Sequence, residues 1–250
     1  MTDVSPAVAA PPQDKPSNSF SRIIGVLFSP IQTFEEIARK PDFIVPIIVI
    51  VIVGLAAAIA TVPRIDFEAQ ARQQIESQNL SPAQAEQAMK VMKVALSVTK
   101  GAQYVAPVII IGFLAVVALL YWLGSKMLGG VATYSHVFSV ALYGFMPQVI
   151  KMLIKIPIVL TKHGLTQQTA ETVVRSSPAF LVDFKDNPML WAFLQRFDVF
   201  LLWSLVLMVI GLAAASRMSK AKSAAVVFVV WCIGTLFSVG FGAMAKLRAR

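Results

Sequence analysis

Two lysines one helical turn apart, Lys151 and Lys155, are the residues of this chain best placed to do polar chemistry in an apolar setting. Their apolar block also contains His136 and Tyr143 but no acidic residue. Charges are costly at the centre of a bilayer, and they often mark a path for a substrate or ion. Near the interface, long lysine stems instead let the charge snorkel toward water. We favour snorkelling and keep a polar path through His136, Lys151 and Lys155 as the alternative.

The other reactive side chains form no recognisable catalytic or metal-binding set. His136 and His163 are far apart, and neither has cysteines or paired carboxylates nearby at the spacing of metal ligands. Cys232 is the only cysteine, so the chain cannot form an internal disulfide, and its helix offers the thiol no base. H-E-x-x-H, G-x-S-x-G and Walker-type motifs are absent from the sequence. We therefore expect no catalytic residue, no metal and no cofactor.

Five apolar blocks must position these side chains, and each is long enough to cross a lipid bilayer. They cover about 43–62, 104–123, 131–160, 197–215 and 224–243. A span needs roughly 20 apolar residues because the hydrocarbon core is about 30 Å thick. Only helices satisfy every backbone group within one continuously apolar segment. With 57% hydrophobic residues and a mean hydropathy of +0.72, the chain is expected to be an all-α, polytopic integral membrane bundle with five transmembrane helices.

The net charge of +9 does not indicate nucleic-acid binding in this setting. Most basic residues flank the apolar blocks, where the anionic head groups of the lipid bilayer attract them. The fourth block opens with Arg196 and Asp198, which we interpret as an ion pair that marks the membrane boundary.

The chain is expected to divide into three parts. Residues 1–19 are rich in proline and polar side chains, which predicts a disordered N-terminal tail. Residues 20–42 carry apolar side chains at helical spacing on both sides of a break at Ser29–Pro30, which predicts an amphipathic segment lying flat in the interface. Residues 43–250 form the membrane domain.

The 41 residues between the first two blocks also contain a predicted helix. Ser81, Pro82 and Gln84 supply an N-cap, a proline at the first helical position and a capping box. From there, apolar and charged residues occupy separate faces. Such a helix could bind lipid head groups or pack on the edge of the bundle, and the sequence leaves both alternatives open.

Lysine and arginine are almost equally dense on the two sides of the predicted membrane domain. The basic loop at 216–223 favours a cytoplasmic N-terminus, whereas the basic residues after 245 oppose it. With five spans, a cytoplasmic N-terminus leaves the C-terminus outside.

From Tyr121 the sequence reads YWLGSKMLGGVATYSHVFSVALYGFMPQVIK, which resembles the hallmark of the Yip family of Ypt-interacting membrane proteins. Bacterial members run from a span through a Leu-Gly-Gly turn and an aromatic residue into a span that contains tyrosine and ends in proline. The matching residues are Gly129, Gly130, Tyr134, Tyr143 and Pro147. Together with similar stretches at 27–38 and 197–231, the resemblance covers roughly residues 20–243.

The resemblance implies five spans, a cytoplasmic N-terminus and a place in a bacterial inner membrane. Eukaryotic relatives associate with Rab-class GTPases, but this chain lacks their acidic N-terminal segment, so we do not expect GTPase binding. The leading hypothesis is a non-enzymatic, membrane-organising or trafficking-type adaptor that binds lipids, a membrane-protein partner or a second copy of itself. The alternative is a small transporter or channel with a polar path through the third span.

Overall fold

The computed structural model describes residues 18–248 except 77, 79 and 185, and it leaves out the side chains of 74 and 241–248. Most of the predicted disordered tail, residues 1–17, therefore lies outside the described residues. Within the described ranges the chain is helical, without a β-strand. The α-helices are α1 (Ser19–Phe28), α2 (Pro30–Arg39), α3 (Ile44–Thr61), α4 (Phe67–Glu76), α5 (Pro82–Met127), α6 (Tyr134–Gly144), α7 (Met146–Leu160), α8 (Gln167–Glu171), α9 (Pro188–Leu194), α10 (Val199–Ser216) and α11 (Lys220–Arg248).

The predicted all-α bundle with five spans is confirmed. Among the described residues, five helical segments are long and apolar enough to cross a membrane: Ile44–Arg64, Pro82–Met127, Tyr134–Leu160, Val199–Ser216 and Lys220–Gly240. The third span consists of α6 and α7, which meet at Phe145. Pro147 has no N–H to donate and occupies the first turn of α7, so it starts a new helix rather than interrupting one.

The central helices pack around the third span. α3 contacts α7 and α5, α6 contacts α5 and α10, and α11 contacts α10, α9 and α5. The side chains of Val137, Val140, Leu142 and Tyr143 are completely buried. The third span is therefore the most enclosed of the five, with 56% of its apolar window buried.

The N-terminal hairpin, α1 and α2, docks one face into this bundle. Phe34 and Ile37 on α2 are completely buried, and a Cβ on Gly211 of α10 would lie only 2.8 Å from the Phe34 ring. Arg22 on α1 is also buried, and its guanidinium donates a hydrogen bond to the carbonyl of Lys40 at 2.9 Å. Whether the opposite face lies in the head-group region stays a prediction.

The longest helix, α5, joins the predicted connection helix to the second span. The Ser81–Gln84 capping box is present, but the helix continues for 46 residues to Met127. At a rise of about 1.5 Å per residue it is roughly 69 Å long, about twice the thickness of the hydrocarbon core. The separate helix expected between the first two spans is therefore the extension of the second span itself.

A small apolar cluster lies beside the N-terminal half of α5. Val62, Ile65, Phe67 and Ala170 are buried together, with Leu96 of α5 packed against them. Ile65 and Leu165 form a parallel bridge, in which the Asp66 N–H donates to the Leu165 carbonyl at 2.9 Å. The connections after the first and third spans are thus joined to each other.

Candidate functional site

A cleft of about 580 Å³ opens between the middle of the third span and the start of the fourth. α7, α8, α9 and the start of α10 contribute its walls, and Ser238 of α11 closes one side. One wall is aromatic, because Phe184 meets Trp191 edge to face with 5.2 Å between ring centres. The polar lining consists of Gln148, Lys151, Glu171, Gln195, Arg196 and Asp198. The cleft is therefore amphipathic.

The Lys151–Asp198 ion pair is the best-connected polar contact of the cleft. Lys151 Nζ lies 2.7 Å from Asp198 Oδ2, and their side chains are 19% and 4% exposed. The Ser176 hydroxyl donates to the same carboxylate oxygen. The other oxygen accepts the backbone N–H groups of Phe200 and Leu201 at 3.0 and 3.1 Å. Asp198 therefore caps α10 and neutralises a lysine of another span at once.

The predicted Arg196–Asp198 pair is wrong. The Arg196 guanidinium donates instead to the carbonyl of Gly234 on α11 at 3.1 Å, and Asp198 points toward Lys151. Lys155 lies one turn beyond Lys151, and its charge interacts with Glu171 of α8. Each lysine of the third span therefore has an acidic neighbour, supplied by a segment outside its own block.

His136 lies near the start of the third span, away from the cleft. It occupies the first turn of α6, where its Nδ1 is 2.7 Å from the Thr133 hydroxyl. Fifteen residues separate it from Lys151, or roughly 22 Å along a helix. The structure brings Lys151 and Lys155 to one site and leaves His136 at another.

Tyr143 links the third span to the N-terminal hairpin. Its hydroxyl donates to Asp42 Oδ2 at 3.0 Å and lies 3.3 Å from the Ser19 carbonyl. Although partial burial raises the pKa of Asp42, hydrogen bonds from Ser19, Tyr143 and the Ile44 N–H, together with the charge of Arg22, bring it below its usual value. The Asp42 carboxylate is therefore held in its charged form.

The remaining residues of the family pattern lie at the turn between the second and third spans. Gly129 has φ +86°, and a Cβ on Gly130 would lie 2.9 Å from the Ser125 carbonyl oxygen. The Tyr134 hydroxyl donates to the Ala115 carbonyl at 3.0 Å. These residues form a tight turn that reverses the chain direction between the two spans. Their contacts stabilise this turn.

The described residues contain no group of three or more His, Cys, Asp or Glu side chains that could hold a metal ion. The cleft offers charged groups, amides and aromatic rings, which can bind a polar group next to an apolar one.

These features define a polytopic helical membrane protein with an amphipathic cleft at one end of the bundle. The Yip1 domain model matches residues 24–242, and the chain belongs to this family of membrane proteins. It is also 27% identical over 230 residues to the Bacillus subtilis (strain 168) protein called membrane protein YknW, with 90% of each chain covered. No solved structure matches the chain.

Sequence reasoning missed Asp198 as the partner of Lys151, since the two residues are 47 positions apart. One local signal was present. Asp198 immediately precedes an apolar block, the position of an N-cap, and a capping carboxylate at the start of one span is available to a neighbouring span.

Proposed function

We propose that this chain is a non-enzymatic membrane adaptor of the membrane-organising or trafficking type, and that its cleft holds a phospholipid head group. The observation that supports the proposal is the composition and place of the cleft. It lies beside the start of the fourth span, and it combines two cationic and two acidic side chains with an aromatic wall. Side chains of both signs next to an apolar surface can hold the phosphate and the amine of a zwitterionic head group.

The proposal can be tested by filling the cleft with a larger side chain. Ala192 lines it, so Ala192→Trp places an indole in its volume, whereas Ala69→Trp adds the same ring at an exposed position on α4. After gentle detergent extraction, native mass spectrometry should find phospholipid on the wild type and on Ala69→Trp, and much less on Ala192→Trp. A wild-type protein that carries no lipid, or equal lipid on the two variants, would contradict the proposal. Loss of a protein partner in place of lipid would assign the cleft to protein binding.

A transporter or channel is the second candidate, and the Lys151–Asp198 pair favours it. A charged pair on facing spans, beside the break at Phe145, is a feature of substrate or ion paths. The proposed path joins Lys151 and Lys155 to His136. Replacing both lysines with Met, together with Asp198→Asn and Glu171→Gln so that the net charge of the site is unchanged, should abolish flux through liposomes. Unchanged flux in a correctly folded variant would remove this candidate.

The adaptor proposal includes an orientation. We place the chain in a bacterial inner membrane with its N-terminus in the cytoplasm and its C-terminus outside. The basic loop between α10 and α11 supports this choice, since short basic loops favour the cytoplasmic side. The cleft then faces the outer side.

A further inference from the structure

The outward face of α5 carries a continuous seam of small and β-branched residues. Five valines, Val91, Val94, Val98, Val105 and Val108, recur at spacings of three, four and seven. Each is between 53% and 68% exposed. Gly101 and Gly112 complete the pattern, and a Cβ on either would meet no atom within 4 Å. This is the a/d spacing of a coiled coil over three heptads.

The seam points away from the rest of the chain. The buried residues of α5 are Pro107, Leu114, Ala118, Tyr121 and Ser125, which also recur at three- and four-residue spacing. At 100° per residue, their mean direction lies roughly opposite to that of the seam. The residues that the structure describes therefore leave the whole seam uncovered.

Lipid covers only part of this seam. If the second span begins near residue 104, Val91, Val94 and Val98 lie about 9 to 20 Å further along α5, beyond the hydrocarbon core. Each of the three is 68% exposed. A row of apolar side chains in water is a surface that buries itself against a partner.

We propose that α5 pairs with α5 of a second copy of this chain, as a parallel two-stranded coiled coil that continues from the aqueous extension into the membrane. Copies inserted with the same orientation can align this helix only in parallel. Valine occupies the a positions Val91, Val98 and Val105 and the d positions Val94 and Val108, so the apolar residues of the seam are β-branched. Gly101 and Gly112 allow the backbones to approach closely, as small residues do between membrane helices.

Charge at the flanking positions agrees with self-pairing. In a parallel pair the residues beside the seam are Lys90, Ser97 and Tyr104 on one side and Ala95, Ala102 and Ile109 on the other. Lys90 already pairs with Glu86 of its own chain at 2.9 Å, and it would face Ala95 of the second copy. No like charges meet across the seam. The seam itself carries no charged side chain with which a strongly charged partner could pair.

The available area is about the minimum expected of a specific dimer interface. Exposed Val116, Leu119 and Leu123 extend the seam, so it runs for 33 residues from Val91. That is about 50 Å, and a contact width of about 10 Å gives roughly 500 Å² per copy. The total of about 1,000 Å² reaches the lower range of specific interfaces.

Oxidative cross-linking of the full chain in native membranes tests the pairing. In a Cys232→Ser background, Val91→Cys, Val94→Cys and Val98→Cys should each give disulfide-linked dimers. Lys93→Cys is the matched control, because it is exposed at the same depth but lies on another face of α5. The expected yield at the seam positions is at least about tenfold that of the control. Equal yields at Lys93 and Val98, or no dimer at any seam position, would overturn the proposal.

A second variant separates lost pairing from lost folding. Val94→Glu with Val98→Glu should convert a dimer in lipid nanodiscs to a monomer while the helical circular dichroism stays unchanged, since both side chains are exposed. Lys93→Glu should remain a dimer. A wild type that is monomeric in nanodiscs, or a dimer that survives both glutamates, would refute the assignment of this face.

Discussion

At the scale of single residues, Asp198 connects three elements: it caps α10, accepts the Ser176 hydroxyl and pairs with Lys151 of α7. Its side chain is 4% exposed, so removing one charge of the pair leaves the other buried without compensation. Breaking a buried ion pair in this way typically costs about 3–5 kcal/mol, whereas replacing both partners with uncharged residues costs far less.

Asp198→Asn is therefore expected to lower the free energy of unfolding by about 3 kcal/mol. Asparagine keeps the acceptor oxygen that caps α10. The loss of stability therefore measures mainly the cost of leaving the Lys151 charge unpaired. The double variant Asp198→Asn, Lys151→Met should recover most of that stability, as measured by denaturant titration in detergent micelles. A double variant no more stable than the single one would contradict this account of the pair.

The Asp42 carboxylate predicts a pH dependence. Its pKa in the folded protein lies below the usual 3.8, because hydrogen bonds and Arg22 together outweigh the effect of burial. Its contribution to stability is therefore complete above about pH 4 and is lost as the pH falls through the folded pKa. Asp42→Asn should be less stable than the wild type at neutral pH, and the difference should vanish at low pH. A constant difference across this range would rule out the titration of Asp42 as the cause.

At the scale of elements, the contact between α2 and α10 fixes the N-terminal hairpin. Gly211 of α10 lies where any side chain would collide, since its Cβ would be 2.6 Å from a Val140 methyl group and 2.8 Å from the Phe34 ring. Both neighbours are fully buried and have little room to move. The small residue is therefore what lets α2 approach the bundle.

Gly211→Ala should cost about 1–3 kcal/mol through overpacking and should loosen the hairpin. Gly234→Ala is the matched control, because it also lies inside a long apolar helix but its Cβ would have no neighbour within 4 Å. Limited trypsin digestion should cut Gly211→Ala faster than the control after Arg39, since Lys40 precedes Pro41 and resists trypsin. Identical digestion of the two variants would show that α2 does not depend on this close approach.

The sequence predicted what depends on neighbours along the chain. Apolar length located the five spans, Ser81 and Gln84 predicted the capping box, and Gly129–Gly130 predicted the reversal. The Lys151–Asp198 contact escaped prediction because it joins two spans whose relative rotation is decided by packing. The continuity of α5 also escaped it, since the polar residues before residue 104 resemble a separate surface helix.

At the scale of the whole molecule, five helices are long and apolar enough to span a membrane, and we expect the two ends of the chain to lie on opposite sides of it. Lysine and arginine are almost equally dense on the two sides. The proposed orientation therefore depends mainly on the short basic loop before α11. The third span, the most enclosed, holds His136 near its start, Lys151 at the cleft and Lys155 one turn further on.

Reporter fusions test this arrangement. A cytoplasm-active reporter joined to Met1 should be active, and one that works only outside the cytoplasm should be active after Arg250. Neutralising Arg217, Lys220 and Lys222 together should produce a mixed or inverted population, because the remaining lysines and arginines are then denser on the opposite side. Activity of both end fusions in the same compartment would contradict an odd number of spans.

The bridge between Ile65 and Leu165 sets an order of assembly on the ribosome. Leu165 is synthesised 100 residues after Ile65, so the segment that follows the first span waits for its backbone partner until the third span has left the translation tunnel. Phe67 therefore lacks Ala170, one of its buried neighbours, from the synthesis of the first span until after that of the third.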